Sequence, residues 1–158
     1  MAEIECVAQQ KNIETPVGMA PEKDMWLEWL MVSAIAPAFA KDRLTFIYDY
    51  PVSQAALACV SKTDARVAHR FEMYFGELEL ANGFYELTDA VEQRKRFAED
   101  NKYRVAKGLP AMPIDENFLA ALEQGMPACA GVAVGLDRLL MVLLGKTHIR
   151  DVLSFEIN

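Results

Sequence analysis

The chain has 158 residues, 53% of them hydrophobic, which suits one globular domain with a sizeable core. A net charge of -7 argues against a general electrostatic grip on nucleic acid, which needs clustered Lys and Arg, but leaves room for a local cationic site. Only two histidines are present, His69 and His148, and neither stands beside a plausible nucleophile, so a hydrolytic triad fits poorly and both are read as ordinary surface or structural residues.

Residues 1 to about 20, "MAEIECVAQQKNIETPVGMA", show little periodicity and no signal-peptide pattern. They are expected to be an arm or the remnant of an upstream region in a cytoplasmic protein, with the main body at 21–158. Residues 22–34 predict an amphipathic helix ending near Pro37. The apolar run "WLEWLMVSAIAPAFA" holds Glu28 and Pro37 and is too short to span a membrane, so no membrane association is expected. "LTFIYDYP", 44–51, predicts a strand stopped by Pro51, and "SQAALACV" predicts a short helix capped by Ser53.

"HRFEMYFGELELANGFYELTD" predicts a hairpin whose two-residue loop is Gly76-Glu77, of type II′. In that register Glu72, Tyr74 and Glu79 share a face, while Asn82, Phe84 and Glu86 lie out of phase with Glu79. A bulge around "ANG" is expected to bring all of them to one side. Such a surface is either a solvated edge or a site for cations: an ammonium, or a metal-bound phosphate. Asp89 and Glu92 resemble a capping box opening a charged helix that reaches Gly108 with a solvated face, and "DENFLAALEQG" predicts a second capped helix closed by Gly125.

In "CAGVAVGLDRLLMVLLG", Cys129, Gly131, Ala133 and Gly135 fall on one strand face, with Val132 and Val134 on the other, core-facing side. The nearly bare face either packs tightly on a helix or receives a flat ligand such as a purine. The helix that follows has apolar residues at 136, 139, 140, 143 and 144, and Arg138 in its first turn opposes the helix dipole unless an anion compensates. The cysteines, Cys6, Cys59 and Cys129, lack metal spacing and are expected as free thiols. The whole pattern predicts an α+β fold with a mainly antiparallel sheet flanked by helices.

These motifs resemble the carboxyl-terminal half of a class II aminoacyl-tRNA synthetase catalytic domain of the lysyl type: "GVAVGLDRLLM" looks like motif 3, and "RFEMYFGELELANGFYELTD" like the ATP and amino-acid strands. "DYPVSQAALA", "GLPAMPID" and "GMPACAGVAVGLDRL" are most similar to the stand-alone elongation factor P lysyltransferases. That resemblance implies activation of lysine, preferably (R)-β-lysine, with ATP and Mg²⁺, and transfer to a lysine of elongation factor P, in a homodimer without direct tRNA binding. It places Glu72 and Glu79 on Mg²⁺ and ATP, Leu80 by the nucleotide, Gly135 beside the adenosine, and Arg138 on the terminal phosphates as the catalytic cation. Asn82, Phe84 and Glu86 would form the lysine pocket, with Glu86 pairing an ammonium. Ala133 would shape that pocket by one methyl, because lysyl-tRNA synthetases, the nearest alternative, have Gly there. A non-catalytic binding module is the other alternative. Motifs 1 and 2 are absent from the sequence, so a fragment of a longer protein, inactive alone, is expected.

Overall fold

A computed structural model describes residues 2–16, 18 and 22–155. Four strands, β1 (Leu44–Pro51), β2 (Val67–Phe75), β3 (Leu78–Tyr85) and β4 (Ala130–Val134), form an antiparallel sheet in the order β1-β2-β3-β4. Five α-helices, α1 (Ala2–Gln10), α2 (Lys23–Leu30), α3 (Ala90–Ala106), α4 (Glu116–Glu123) and α5 (Leu136–Leu143), complete the α+β architecture. None of them is long and apolar enough to cross a membrane. The chain divides into two compact units, one of residues 1–48, 71–82 and 133–158, the other of residues 49–70 and 83–132.

In the first unit, residues 2–10 are helical where the sequence shows no clear period, and Asn12 follows at φ +52, a left-handed conformation that Asn tolerates just past a helix end. Helix α2 gives way to a π-helical turn at Met31–Ile35, where the Ser33 hydroxyl donates to Trp29 O at 2.6 Å, and then to a 3₁₀ turn holding Pro37. The β2-β3 turn is Gly76-Glu77, with φ +54 at Gly76 and no positive φ at Glu77, as a II′ turn requires. Along β3, burial passes from Leu80 to its neighbour Ala81 and then to Gly83, so simple alternation breaks where the phase change is expected.

The core-facing side expected for the last strand is corrected. Val134 is exposed rather than core-facing, and on α5 only Met141 is buried while Leu136 and Leu143 stay 73% and 72% exposed. Val132, in the other unit, is exposed as well. The helical period is present, but the described residues do not cover the stripe.

In the second unit, the predicted helix at 53–60 does not form. Val52–Gln54 make a 3₁₀ turn, and the following residues pair as isolated antiparallel bridges, Ala58 with Glu86 and Val60 with Ala68. Local alanine propensity yields because Ala55 and Ala58 pack with Ala68 in a small core against Phe84. Asp89 caps α3, its carboxylate accepting from Val91 N and Glu92 N at 2.9 and 3.1 Å. Asp115 caps α4 through Phe118 N at 2.9 Å. The solvated face expected on α3 is present, with Arg94, Lys95, Glu99, Asp100 and Lys102 exposed, while on the other side the Arg96 side chain is 15% exposed and donates to Ala56 O and Ala58 O, and Gln93 is 1% exposed. Asn101 pairs with the backbone of Met112, and Arg94 binds Glu116 through two bonds of 2.9 and 2.7 Å, tying α3 to α4.

Candidate functional site

Six of the predicted residues meet at one cleft of the first unit. Glu79, Leu80 and Asn82 from β3, Ala133 from β4, and Gly135 and Arg138 at the start of α5 line a cavity of about 350 Å³. Strand pairing brings them together, since Gly135 N donates to Leu80 O at 2.9 Å and so starts α5 beside the middle of β3. Arg138 then turns back across β3: its Nη1 donates to Glu79 O at 2.8 Å and lies 3.7 Å from Glu79 Oε2. Glu79 is thus the anion that offsets an arginine in a first helical turn. The atoms nearest a Cβ built on Gly135 belong to the Arg138 stem, at 3.5 Å or more, which is ordinary van der Waals contact.

Glu72 is not among the residues lining that cleft. It is 8% exposed, and its Oε2 accepts from the Tyr74 hydroxyl at 2.5 Å. The Tyr74 ring in turn packs edge-on against Phe39, with centroids 5.3 Å apart. Nothing in the sequence singles out Tyr74 as a partner of Glu72 beyond their shared strand face, which is the signal that finds it.

The second unit holds Phe84 and Glu86. Glu86 is fixed through its backbone from both sides: its N donates to Cys129 O at 3.0 Å, and its O accepts from the Cys59 thiol at 3.0 Å. Its carboxylate lies directly over Gly131, where any Cβ would overlap Oε1. Cys59, Cys129 and Cys6 are free thiols, and the contact of Cys59 with Glu86 O is one that its spacing does not reveal. Phe84 already faces a cation, because the Arg70 guanidinium stands 6.0 Å from its ring centroid and 4.5 Å from that of Tyr50, while donating to Gln54 O at 2.7 Å. Sequence reasoning passes over Arg70 because its partner rings lie 14 and 20 positions away along the chain. His69 faces Asp49 at 3.9 Å and the edge of Tyr85, a structural setting.

The donor set of the cleft is hard oxygen plus one guanidinium. Among the described residues no three His, Cys, Asp or Glu side chains gather into a metal cage. Mg²⁺ does not need one, since it commonly takes one or two carboxylates together with substrate phosphates and water. Glu79 in the cleft and the buried Glu72 carboxylate are of the right type, and Arg138 suits phosphate oxygens with a planar fork of five donors.

A family profile described as tRNA synthetases class II (D, K and N) matches residues 23–158. The chain belongs to this family. Among its relatives, an elongation factor P--(R)-beta-lysine ligase of Proteus mirabilis is 52% identical over 151 residues, covering 96% of this chain and 46% of the relative. Proteins of the same name from Klebsiella pneumoniae subsp. pneumoniae and Photorhabdus laumondii are 48% and 49% identical, over 99% and 96% of this chain and 48% and 47% of their own lengths. The chain therefore spans about half the length of the curated relatives it matches. The class II resemblance read from motif 3 and the acidic hairpin agrees with the family profile.

Proposed function

We propose that the protein to which this chain contributes is an ATP-dependent ligase that activates lysine, preferring (R)-β-lysine, and transfers it to a lysine side chain of elongation factor P. The observation that carries the reading is the Glu79–Arg138 pair in a cleft walled by Leu80, Ala133 and Gly135, an acid and a cation set beside a bare strand. The names of the relatives supply the amino acid and the acceptor protein.

In the first unit Leu80 and Gly135 border the adenosine, and Arg138, with one donor spent on Glu79 O, has four others for the terminal phosphates. Glu79 and Glu72 are the carboxylates for Mg²⁺, which when bound offsets phosphate charge as pyrophosphate leaves. Asn82 and Ala133 stand for the amino-acid end, with the Ala133 methyl as a selector between α- and β-lysine. In the second unit Glu86 pairs the lysine ammonium, and Phe84, stiffened by Arg70, shapes the aliphatic channel. The lysine carboxylate attacks the α-phosphorus, pyrophosphate departs, and the acceptor amine then takes the acyl group while AMP leaves. Catalysis of this kind rests on placement and electrostatics, with no protein nucleophile. The working form is a cytoplasmic homodimer that does not bind tRNA directly.

A second reading, lysyl-tRNA synthetase, shares the family; Ala133 in place of the synthetase Gly favours the first. The test is pyrophosphate exchange by the full-length protein with α-lysine and with (R)-β-lysine, followed by acyl transfer to elongation factor P or to lysine tRNA. Higher kcat/KM for the β-isomer and transfer to the protein are expected. Charging of tRNA would replace this reading with the synthetase.

A further inference from the structure

The geometry points to Tyr74 as a positioning residue that sets Mg²⁺ affinity through Glu72. This rests on the proposed role of Glu72 as a metal carboxylate. The Tyr74 hydroxyl donates to Glu72 Oε2 at 2.5 Å, a distance in the range of hydrogen bonds from a hydroxyl to an ionised carboxylate. Both residues are buried, Glu72 at 8% and Tyr74 at 7% exposure. Two residues apart on β2, they point to the same side of the sheet, so the strand fixes their spacing. The phenol is itself held: its ring meets Phe39 edge-on at 5.3 Å and 63°, the residue that follows the 3₁₀ turn after Pro37. Phe39, Tyr74 and Glu72 thus form a chain of contacts that orients the carboxylate before any ligand arrives.

A carboxylate held in this way binds a metal without first being immobilised. Loss of an outer partner that orients a metal ligand typically lowers metal affinity about 10- to 100-fold. The alternative is that Tyr74 merely satisfies a buried acid, which would affect folding and leave metal binding alone.

The experiment uses the full-length protein with Tyr74→Phe, which keeps the ring on Phe39 and removes only the hydroxyl. The Mg²⁺ concentration giving half-maximal ATP binding is measured by calorimetry, with a Mn²⁺ titration followed by electron paramagnetic resonance and a thermal midpoint beside it. The expected result is a rise of about 10- to 100-fold in half-saturating Mg²⁺, metal-free ATP binding unchanged, and a midpoint within a few degrees of wild type. Glu72→Gln and the double variant are the controls, and the double variant should match Glu72→Gln alone. If Glu72→Gln itself leaves the Mg²⁺ dependence unchanged, the metal role of Glu72 fails. If Glu72→Gln shifts it and Tyr74→Phe does not, or if Tyr74→Phe acts only by lowering the midpoint, the positioning role of Tyr74 is overturned.

Discussion

Gly131 shows how one missing atom places a charge. A Cβ there would overlap the Glu86 carboxylate, and the neighbouring backbone bonds of Glu86 to Cys129 and from Cys59 leave the main chain no freedom to retreat. The carboxylate, the flexible end of its side chain, would have to swing aside. Gly131→Ala in the full-length protein is therefore expected to keep its thermal midpoint while displacing Glu86. The KM for lysine should rise roughly 10- to 100-fold, the scale of a charged hydrogen bond worth about 1.5–3 kcal/mol, with the KM for ATP unchanged. Steady-state exchange kinetics with each substrate varied in turn would check this; equal shifts in both constants would point to a general packing defect. At this scale the sequence speaks for charged side chains and is silent on their supports. Glu79 and Glu86 stand out because charge among strand apolars is unusual, and Arg138 because a cation in a first helical turn opposes the dipole, whereas Cys59 and Arg70 act through contacts that only the fold creates.

Among the elements, those with a local cause were legible. Gly76 makes the hairpin turn, Asp89 and Asp115 cap α3 and α4, and the strand at 44–51 has the composition of one. The misreading at 53–60 comes from the opposite situation, where "AALA" favours a helix and backbone partners on Tyr85, Leu87 and His69 take the segment into bridges instead. Arg96 reinforces that outcome by binding the Ala56 and Ala58 carbonyls, which draws its side chain away from the charged residues that stay exposed on α3, Arg94, Lys95, Glu99, Asp100 and Lys102. The capping box forms by half: Asp89 caps, but the Glu92 carboxylate turns to Arg96 at 3.2 Å. All of the capping energy then rests on Asp89. Asp89→Ala should cost about 1 kcal/mol, lowering the thermal midpoint by roughly 2–4 °C for a chain of this size, and Asp89→Asn should recover most of it. Thermal melts followed by circular dichroism measure both; a midpoint unchanged by Asp89→Ala would mean that the α3 start is held by its packing.

For the molecule as a whole, the question is how much chemistry these 158 residues carry by themselves. Arg138 is the one cation among the described residues lining the cleft, and it is already engaged by Glu79. A triphosphate that sheds pyrophosphate needs more positive charge than that, and on the proposed reading a motif 2 arginine, expected from the class II resemblance outside these 158 residues, supplies it. On α5, Leu136 and Leu143 lie open to water. Losing one positioned donor from such a site costs about 2.7–4 kcal/mol, or roughly 10²–10³ in rate. The purified 158-residue chain is therefore expected to fold, to bind a hydrophobic dye through the α5 face, and to show pyrophosphate exchange at least about 100-fold below that of the full-length protein. Side-by-side exchange assays at equal protein concentration, with circular dichroism to establish that the short chain is folded, decide the matter. Exchange rates within a few-fold of each other would show that Arg138 and Mg²⁺ alone neutralise the phosphates, and that the motif 2 arginine is not needed for the chemical step.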